Sequence, residues 1–198
     1  MEQEPKKTTL QKLMEIKGET RGVVFKTDAG FVLREKGKEG LERIEQELKR
    51  IGHPIDYDKV ETMGFYPLGL RILSLLVIQK VFEFSKEDIK RMGAQAPKRS
   101  LITKLFMKYF LSLERTAKES SRMWKEHYTV GQIDVTPNEK ERWCTVRLKN
   151  FALHPVLCLY YEGYFSTVMR MIVGVPVTSE EKECPFRGDK RHEYYFTW

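Results

Sequence analysis

The last third of the chain limits the choice of fold most. Residues 143–151 alternate, with Cys144, Val146 and Leu148 on one side and Thr145, Arg147 and Lys149 on the other, the period of a strand with one buried face. Pro155–Val173 then reads as a long, mostly apolar helix opened by a proline in its first turn. Residues 183–198 read as a terminal hairpin carrying Cys184-x3-Gly188-Asp189-x2-His192. A strand pair, one long helix and a second strand pair make a small antiparallel sheet backed by a helix. No catalytic set is visible within it, so the region reads as a place to bind something.

The first half has helical periodicity. Residues 1–20 are polar and lysine-rich, with Leu10, Leu13, Met14 and Ile16 at helical spacing, and read as a tail or short docking helix ahead of a single domain over 21–198. Val23-Val24-Phe25 reads as a brief extended segment closed by an Asp28-Ala29-Gly30 turn. Leu41, Ile44, Leu48 and Ile51 share a helical face that Gly52-His53-Pro54 ends. From Pro67 to Phe84 apolar residues occupy nearly every face, which marks a central helix. Ser85, with Glu87 and Asp88 behind it, caps a shorter helix to about Gly93. Leu101, Ile102, Leu105, Phe106, Tyr109, Phe110 and Leu113 form a wide apolar stripe. Strand structure is expected from about His127, with a bulge at Gly131 and a turn at Pro137-Asn138. The class is α+β: a helical N-terminal half packed on a small antiparallel sheet made of two hairpins flanking a long helix.

With 198 residues, 41% of them hydrophobic, the chain can bury one sizeable core, and two domains would leave each half small. A net charge of +7 makes the surface basic, although 28 acidic residues interleave with 35 basic ones. Lys86, Lys90, Arg91, Lys98, Arg99, Lys104 and Lys108 form a basic run. Glu87 and Asp88 interrupt it, and the nearby aromatic residues fall on the apolar stripe, so a solvated helical face explains it better than nucleic-acid binding. Cys144, Cys158 and Cys184 are odd in number and far apart, which suits reduced thiols in a cytoplasmic protein rather than a disulfide framework. The longest apolar run, 72–78, is far short of the roughly 20 residues that span a bilayer. No transmembrane segment or secretory signal is expected.

Phe65, Tyr66, Phe106, Tyr109, Trp124 and Tyr128 are residues of the kind that line apolar ligand pockets. Arg71, a guanidinium inside the most apolar helix, would anchor a carboxylate or phosphate there. Each has a plain alternative: aromatic residues at helical spacing fill cores, and long cationic side chains reach water along apolar surfaces. Arg170 carries the same two readings. Cys184 and His192 are zinc-ligating types, but a structural zinc needs four ligands and only two lie together in the sequence. His127, Cys144 or Cys158 would have to be brought from elsewhere, so no metal centre is expected. His53 and His154 each precede proline, and Ser120, Ser121 and Ser166 lack a nucleophile-elbow context. With no glycine-rich phosphate loop, Cys-x-x-Cys or His-Glu-x-x-His, no enzyme site is expected.

Arg21-Gly22-x-x-Phe25, Gly37-x-x-Gly40-Leu41, Phe65-Tyr66-Pro67, Trp124-x3-Tyr128-x2-Gly131 and Cys184-x3-Gly188-Asp189 follow one another along the chain. In that order the sequence resembles the ligand-binding superfamily of vinyl reductase domains, haem nitric-oxide-binding domains and TRAPP tethering subunits, nearest to the vinyl-reductase-like, hydrocarbon-binding branch. The resemblance spans nearly the whole chain through short motifs. It implies an α+β fold with a cavity between helices and sheet, holding a small apolar or amphipathic molecule. With no effector domain attached, a signal is expected to pass to a separate effector protein, and the likeness to TRAPP subunits adds a homodimer as a partner. Haem-binding relatives ligate iron through a histidine on a helix of the middle region and grip the porphyrin with Tyr-x-Ser-x-Arg. Here no histidine lies between His53 and His127 and that motif is missing, so the expectation is a haem-free sensory or carrier domain with no cofactor. In vinyl-reductase-like domains the terminal hairpin carries a second cysteine about where His192 stands. The alternative is a TRAPP-like dimerising scaffold whose cavity is filled by its own side chains, and a basic nucleic-acid-binding protein ranks behind it.

Overall fold

The computed structural model describes residues 9–99 and 112–198. In order come α1 (Thr9–Met14), β1 (Glu19–Arg21), α2 (Val23–Arg50), β2 (Phe65–Pro67), α3 (Leu68–Val81) and α4 (Lys86–Arg99). They are followed by α5 (Leu113–His127), β3 (Gln132–Asn138), β4 (Trp143–Lys149), α6 (Pro155–Val173), β5 (Thr178–Glu183) and β6 (His192–Thr197). The first two strands pair as an antiparallel ribbon, and the other four make an antiparallel sheet in the order β3-β4-β6-β5. This is the α+β arrangement read from the sequence, with two hairpins either side of one long helix. Among the described residues no helix is long and apolar enough to cross a membrane.

The spine is α3, buried on almost every side, with Leu68, Ile72, Leu75 and Ile78 fully enclosed. It is shorter than expected because Phe82 caps it and Glu83 turns into positive φ. Beside it, α2 corrects two expectations. Val23–Phe25 is helical rather than extended, and Asp28-Ala29-Gly30 lies inside the helix rather than in a turn. Phe25, Ala29, Val32 and Asp28 share its buried face, so packing decides the local structure where turn-forming residue types suggested otherwise. The helix is broken once, at Gly37 (φ 69°), and ends as read, with Gly52 left-handed and the His53 N–H donating to the Leu48 carbonyl.

Ser85 caps α4 reciprocally. Its hydroxyl accepts the Asp88 N–H, and Asp88 Oδ2 accepts the Ser85 N–H at 2.9 Å. The helix does not stop near Gly93 but continues to Arg99, because Gly93 is a contact. A Cβ there would stand 1.9 Å from the Tyr160 carbonyl oxygen, and one at Gly163 would stand 1.9 Å from that of Lys90. The two glycines let α4 and α6 cross backbone to backbone. Of the apolar stripe over 101–113, only Leu113 lies within the described residues. It is buried at the start of α5, whose own N-cap is Ser112.

In the sheet, β3 begins at Gln132, later than expected. Tyr128 makes only an isolated bridge to Thr20, and Gly131 (φ 79°) is a kink before the strand rather than a bulge in it. Pro137 and Asn138 pair with Cys144 and Trp143, so the turn lies beyond them. A proline is tolerated there because β3 is an edge. The last hairpin also begins earlier than expected. Its first strand is the charged segment Thr178–Glu183, the opposite edge, and Cys184–Arg191 is the connection.

Candidate functional site

Where α5 meets the sheet, four aromatic rings interlock. Trp124 stacks on Tyr128 at 4.4 Å, and Phe151 meets the two edge-on at 5.0 and 5.7 Å. Tyr161 closes the group 5.8 Å from Trp124. The Trp124 indole donates to the Val130 carbonyl at 3.0 Å, and a Cβ at Gly131 would lie 2.7 Å from Phe151. That is the physical content of Trp124-x3-Tyr128-x2-Gly131: the glycine admits the ring that holds the tryptophan. Behind these rings, α2, α3, α4, α5, α6 and the inner sheet face line a partly open apolar cavity of about 160 Å³.

One end of the cavity is polar. Arg71, fully buried on α3, donates from Nε to Asp28 Oδ2 at 3.4 Å and from Nη1 to the Tyr128 hydroxyl at 3.3 Å, and lies 4.6 Å over the Tyr160 ring. Tyr160 donates to Asp28 Oδ1 at 2.8 Å. Burial pushes the Asp28 carboxyl above its ordinary range, with Arg71 and then Tyr160 pulling the other way. Arg71 Nη2 is buried with no hydrogen-bond partner among the described residues, and the buried Tyr161 hydroxyl has only Tyr128 beside it, without ordinary hydrogen-bond geometry.

Of the pocket residues read from the sequence, Arg71, Trp124 and Tyr128 line this cavity. Phe65 and Tyr66 do not. Phe65 is exposed on the β1–β2 ribbon beneath the Arg21 guanidinium, 3.8 Å away, and Tyr66 packs on Phe25 and accepts the Glu61 N–H at 2.9 Å. Phe106 and Tyr109 lie outside the described residues. Arg170 is exposed and bonds Thr167. Asp28, Tyr160 and Tyr161 were missed. The available signal for Asp28 was an acid three and four residues from Phe25 and Val32, on the face that packs inward. Of the basic run, Lys90 pairs with Glu162, and Arg91 with Asp88 and Glu35.

A second cluster forms where α6 meets the terminal hairpin. Ligand-type atoms of Cys158, Glu181, Cys184 and His192 all lie within 4.8 Å of one another. The two sulfurs are 3.8 Å apart, Cys158 Sγ is 3.9 Å from His192 Nδ1, and that nitrogen is 3.0 Å from Glu181 Oε1. With zinc–sulfur bonds of about 2.3 Å, the edge of a tetrahedral site is about 3.8 Å. The expectation of no metal centre found only Cys184 and His192 together in the sequence; of the further ligands it named, the fold brings in Cys158 from α6, and it adds Glu181 from β5, which the sequence reading did not name. The connecting loop is shaped for this. Asp189 accepts the Cys184 N–H at 2.7 Å, Gly188 (φ 99°) ends a 3-10 turn, and Arg187 holds Glu181 at 3.2 Å. Burial, followed by Glu181 and Cys184, pushes the Cys158 thiol pKa up, so its thiolate needs a cation. Cys144, in the core of β4, is pushed up to about 12 by burial and plays no part here.

No protein-family model matches the sequence and no curated protein matches it. The fold has solved counterparts. An H-NOX protein from S. oneidensis in the Fe(II)NO ligation state superposes with a TM-score of 0.66 at 11% identity, over 89% of this chain and 97% of that one. An oxygen-binding H-NOX domain related to soluble guanylate cyclases, in its oxygen complex, gives 0.64 at 12% identity over 89% and 94%. A structure concerned with haem redox potential under protein-induced porphyrin distortion gives 0.64 at 12%, over 90% and 99%. The chain therefore shares the H-NOX fold, which is the part of the superfamily resemblance that solved structures show. These neighbours also correct the expectation of a haem-free domain without a cofactor. The fold found here is that of H-NOX proteins described by their iron ligation and haem distortion.

Proposed function

We propose that this chain is a small-molecule sensor domain built on the H-NOX fold, receiving its signal in the cavity between the helices and the sheet and passing it to a separate effector protein. The observation that carries the reading is the apolar cavity itself, with the buried Arg71 network at one end. Ligand sites combine apolar walls with a few placed polar groups in this way. No nucleophile with an adjacent base faces the cavity among the described residues, which favours sensing over catalysis.

Two lining residues suit a haem. His127 faces the cavity, and burial lowers its pKa, which favours the neutral imidazole that ligates iron. Arg71 offers a cation to a carboxylate. A haem held there would supply an iron able to bind a small gas. The room of about 160 Å³ is close to the roughly 150 Å³ that takes one benzene ring, so a macrocycle requires the walls to part while a small apolar molecule does not. The same reading assigns a divalent cation, zinc by the softness of two thiolates, to Cys158, Glu181, Cys184 and His192, where it ties the terminal hairpin to α6.

The test is titration of the purified chain with haemin and, separately, with toluene. A Soret band lost in His127→Ala assigns haem to the cavity. Quenching of tryptophan fluorescence by toluene, lost when Trp124 is replaced by Phe, assigns the cavity to the small molecule directly. If neither probe binds, the sensor reading fails.

A further inference from the structure

Two buried donors in the cavity wall lack a hydrogen-bond partner of ordinary geometry among the described residues. Arg71 spends Nε on Asp28 and Nη1 on Tyr128, leaving Nη2 without an acceptor among the described residues, and the Tyr161 hydroxyl has only the Tyr128 hydroxyl near it, too poorly placed for an ordinary hydrogen bond. Both residues line the same cavity. A buried polar group without a partner is costly, and two in one cavity are a pattern rather than an accident of packing. The Asp28 contact is long at 3.4 Å, so the guanidinium is incompletely neutralised where it sits.

We propose that the cavity is built for a single-ring aromatic carboxylate, its ring among Trp124, Tyr128 and Phe165 and its carboxylate accepting from Arg71 Nη2 and the Tyr161 hydroxyl. The inference rests on the sensor reading and names the chemistry of the signal. The group must accept hydrogen bonds without adding a donor of its own, and an ionised carboxylate is acceptor-only and matches a guanidinium better than a hydroxyl does. The space limits the remainder: about 160 Å³ is the volume of one ring. A haem propionate would present the same head group, so the probes must separate the two sources.

Calorimetric titration of the full chain with benzoate, benzyl alcohol and toluene keeps the ring constant and varies the head group. Benzoate is expected to bind at least about tenfold more tightly than toluene, with benzyl alcohol between them. Tyr161→Phe, which keeps the ring and removes only the hydroxyl, should cut the benzoate preference over toluene several-fold. Because Arg71→Met strands Asp28 and can unfold the protein, the paired variant Asp28→Asn/Arg71→Gln is the second arm, and it should abolish the preference. Toluene binding as tightly as benzoate, or a preference untouched by both variants, overturns the carboxylate anchor while the sensor reading stands. Benzoate displaced by haemin in step with a Soret band assigns the anchor to a propionate and likewise overturns the proposal. Failure of all three rings and of haemin to bind removes the sensor reading with it.

Discussion

At the start of α6 the imidazole of His154 accepts the Val156 N–H through Nδ1 at 3.1 Å, a capping role usually filled by Ser, Thr, Asp or Asn. A protonated ring cannot accept there. Burial lowers the His154 pKa, and His127 is shifted the same way by burial. The unfolded chain therefore takes up protons first, and the stability these groups contribute is present above about pH 6.5 and is lost as pH falls through their folded values. Solvent reaches the His154 ring, so its share is under about 1 kcal/mol. Urea unfolding between pH 7.5 and 5 should show the decline, with a smaller slope in His154→Asn, which keeps a cap that does not titrate. Equal slopes would remove His154 from the account. Deeper in, Arg71 was legible as a guanidinium in an apolar helix, but its partner was not, since Asp28-Ala29-Gly30 also spells a turn. Arg71→Met should cost about 3–5 kcal/mol by leaving a buried carboxylate unpaired, and adding Asp28→Asn should recover part of it. A double variant no more stable than the single one would show that the loss comes from packing instead.

Among the elements, the glycines decide more than their sequence context reveals. Ala raises helix propensity over Gly by about 1 kcal/mol, and at Gly30 in α2 the added Cβ meets only the tip of Arg34 at 3.4 Å. Gly30→Ala should therefore stabilise by up to about 1 kcal/mol. At Gly163 the same methyl would stand 1.9 Å from the Lys90 carbonyl oxygen and 2.9 Å from the Ala94 nitrogen, so α4 and α6 must separate. Overpacking of this kind costs about 1–3 kcal/mol and outweighs the propensity gain, so Gly163→Ala should destabilise. The two midpoints in urea should move in opposite directions, and a shared direction would mean that the helix crossing yields to a methyl group without cost. A single sequence cannot distinguish a glycine that stops a helix from one that admits another helix, which is why α4 was expected to end at Gly93. The central helix and α6 were legible because apolar residues cover them with clear boundaries. The edge strand β5 was not, because Thr-Ser-Glu-Glu-Lys-Glu carries the charges that protect an edge and none of the apolar alternation that marks a strand.

For the molecule as a whole, the general plan could be read from periodicity, while both sites depend on distances along the chain that periodicity does not carry. The cavity draws on α2, α3, α4, α5, α6 and the sheet, and the Cys158–Glu181–Cys184–His192 cluster draws on α6 and the last hairpin. Only Cys184 and His192 were neighbours in sequence, and Phe65 and Tyr66 looked like lining because aromatic character says nothing about which face a ribbon presents. The cluster also sets an expectation for the entire fold. Strand β6 lies between β4 and β5, and α6 crosses α4 at the two glycines, so a cation joining α6 to the hairpin restrains elements from both halves. Binding to the folded state alone stabilises it by about 2.7 kcal/mol at a hundredfold excess over Kd. Zinc added to chelator-treated protein should therefore raise Tm as one cooperative transition, release protons as the buried thiols ionise, and slow hydrogen exchange in α6 as well as in residues 178–198. Cys184→Ser should abolish all three responses without altering toluene or haemin binding. Zinc that protects only the hairpin would confine the cluster to a local clasp, and zinc that changes neither Tm nor thiol reactivity would leave the four side chains as packing.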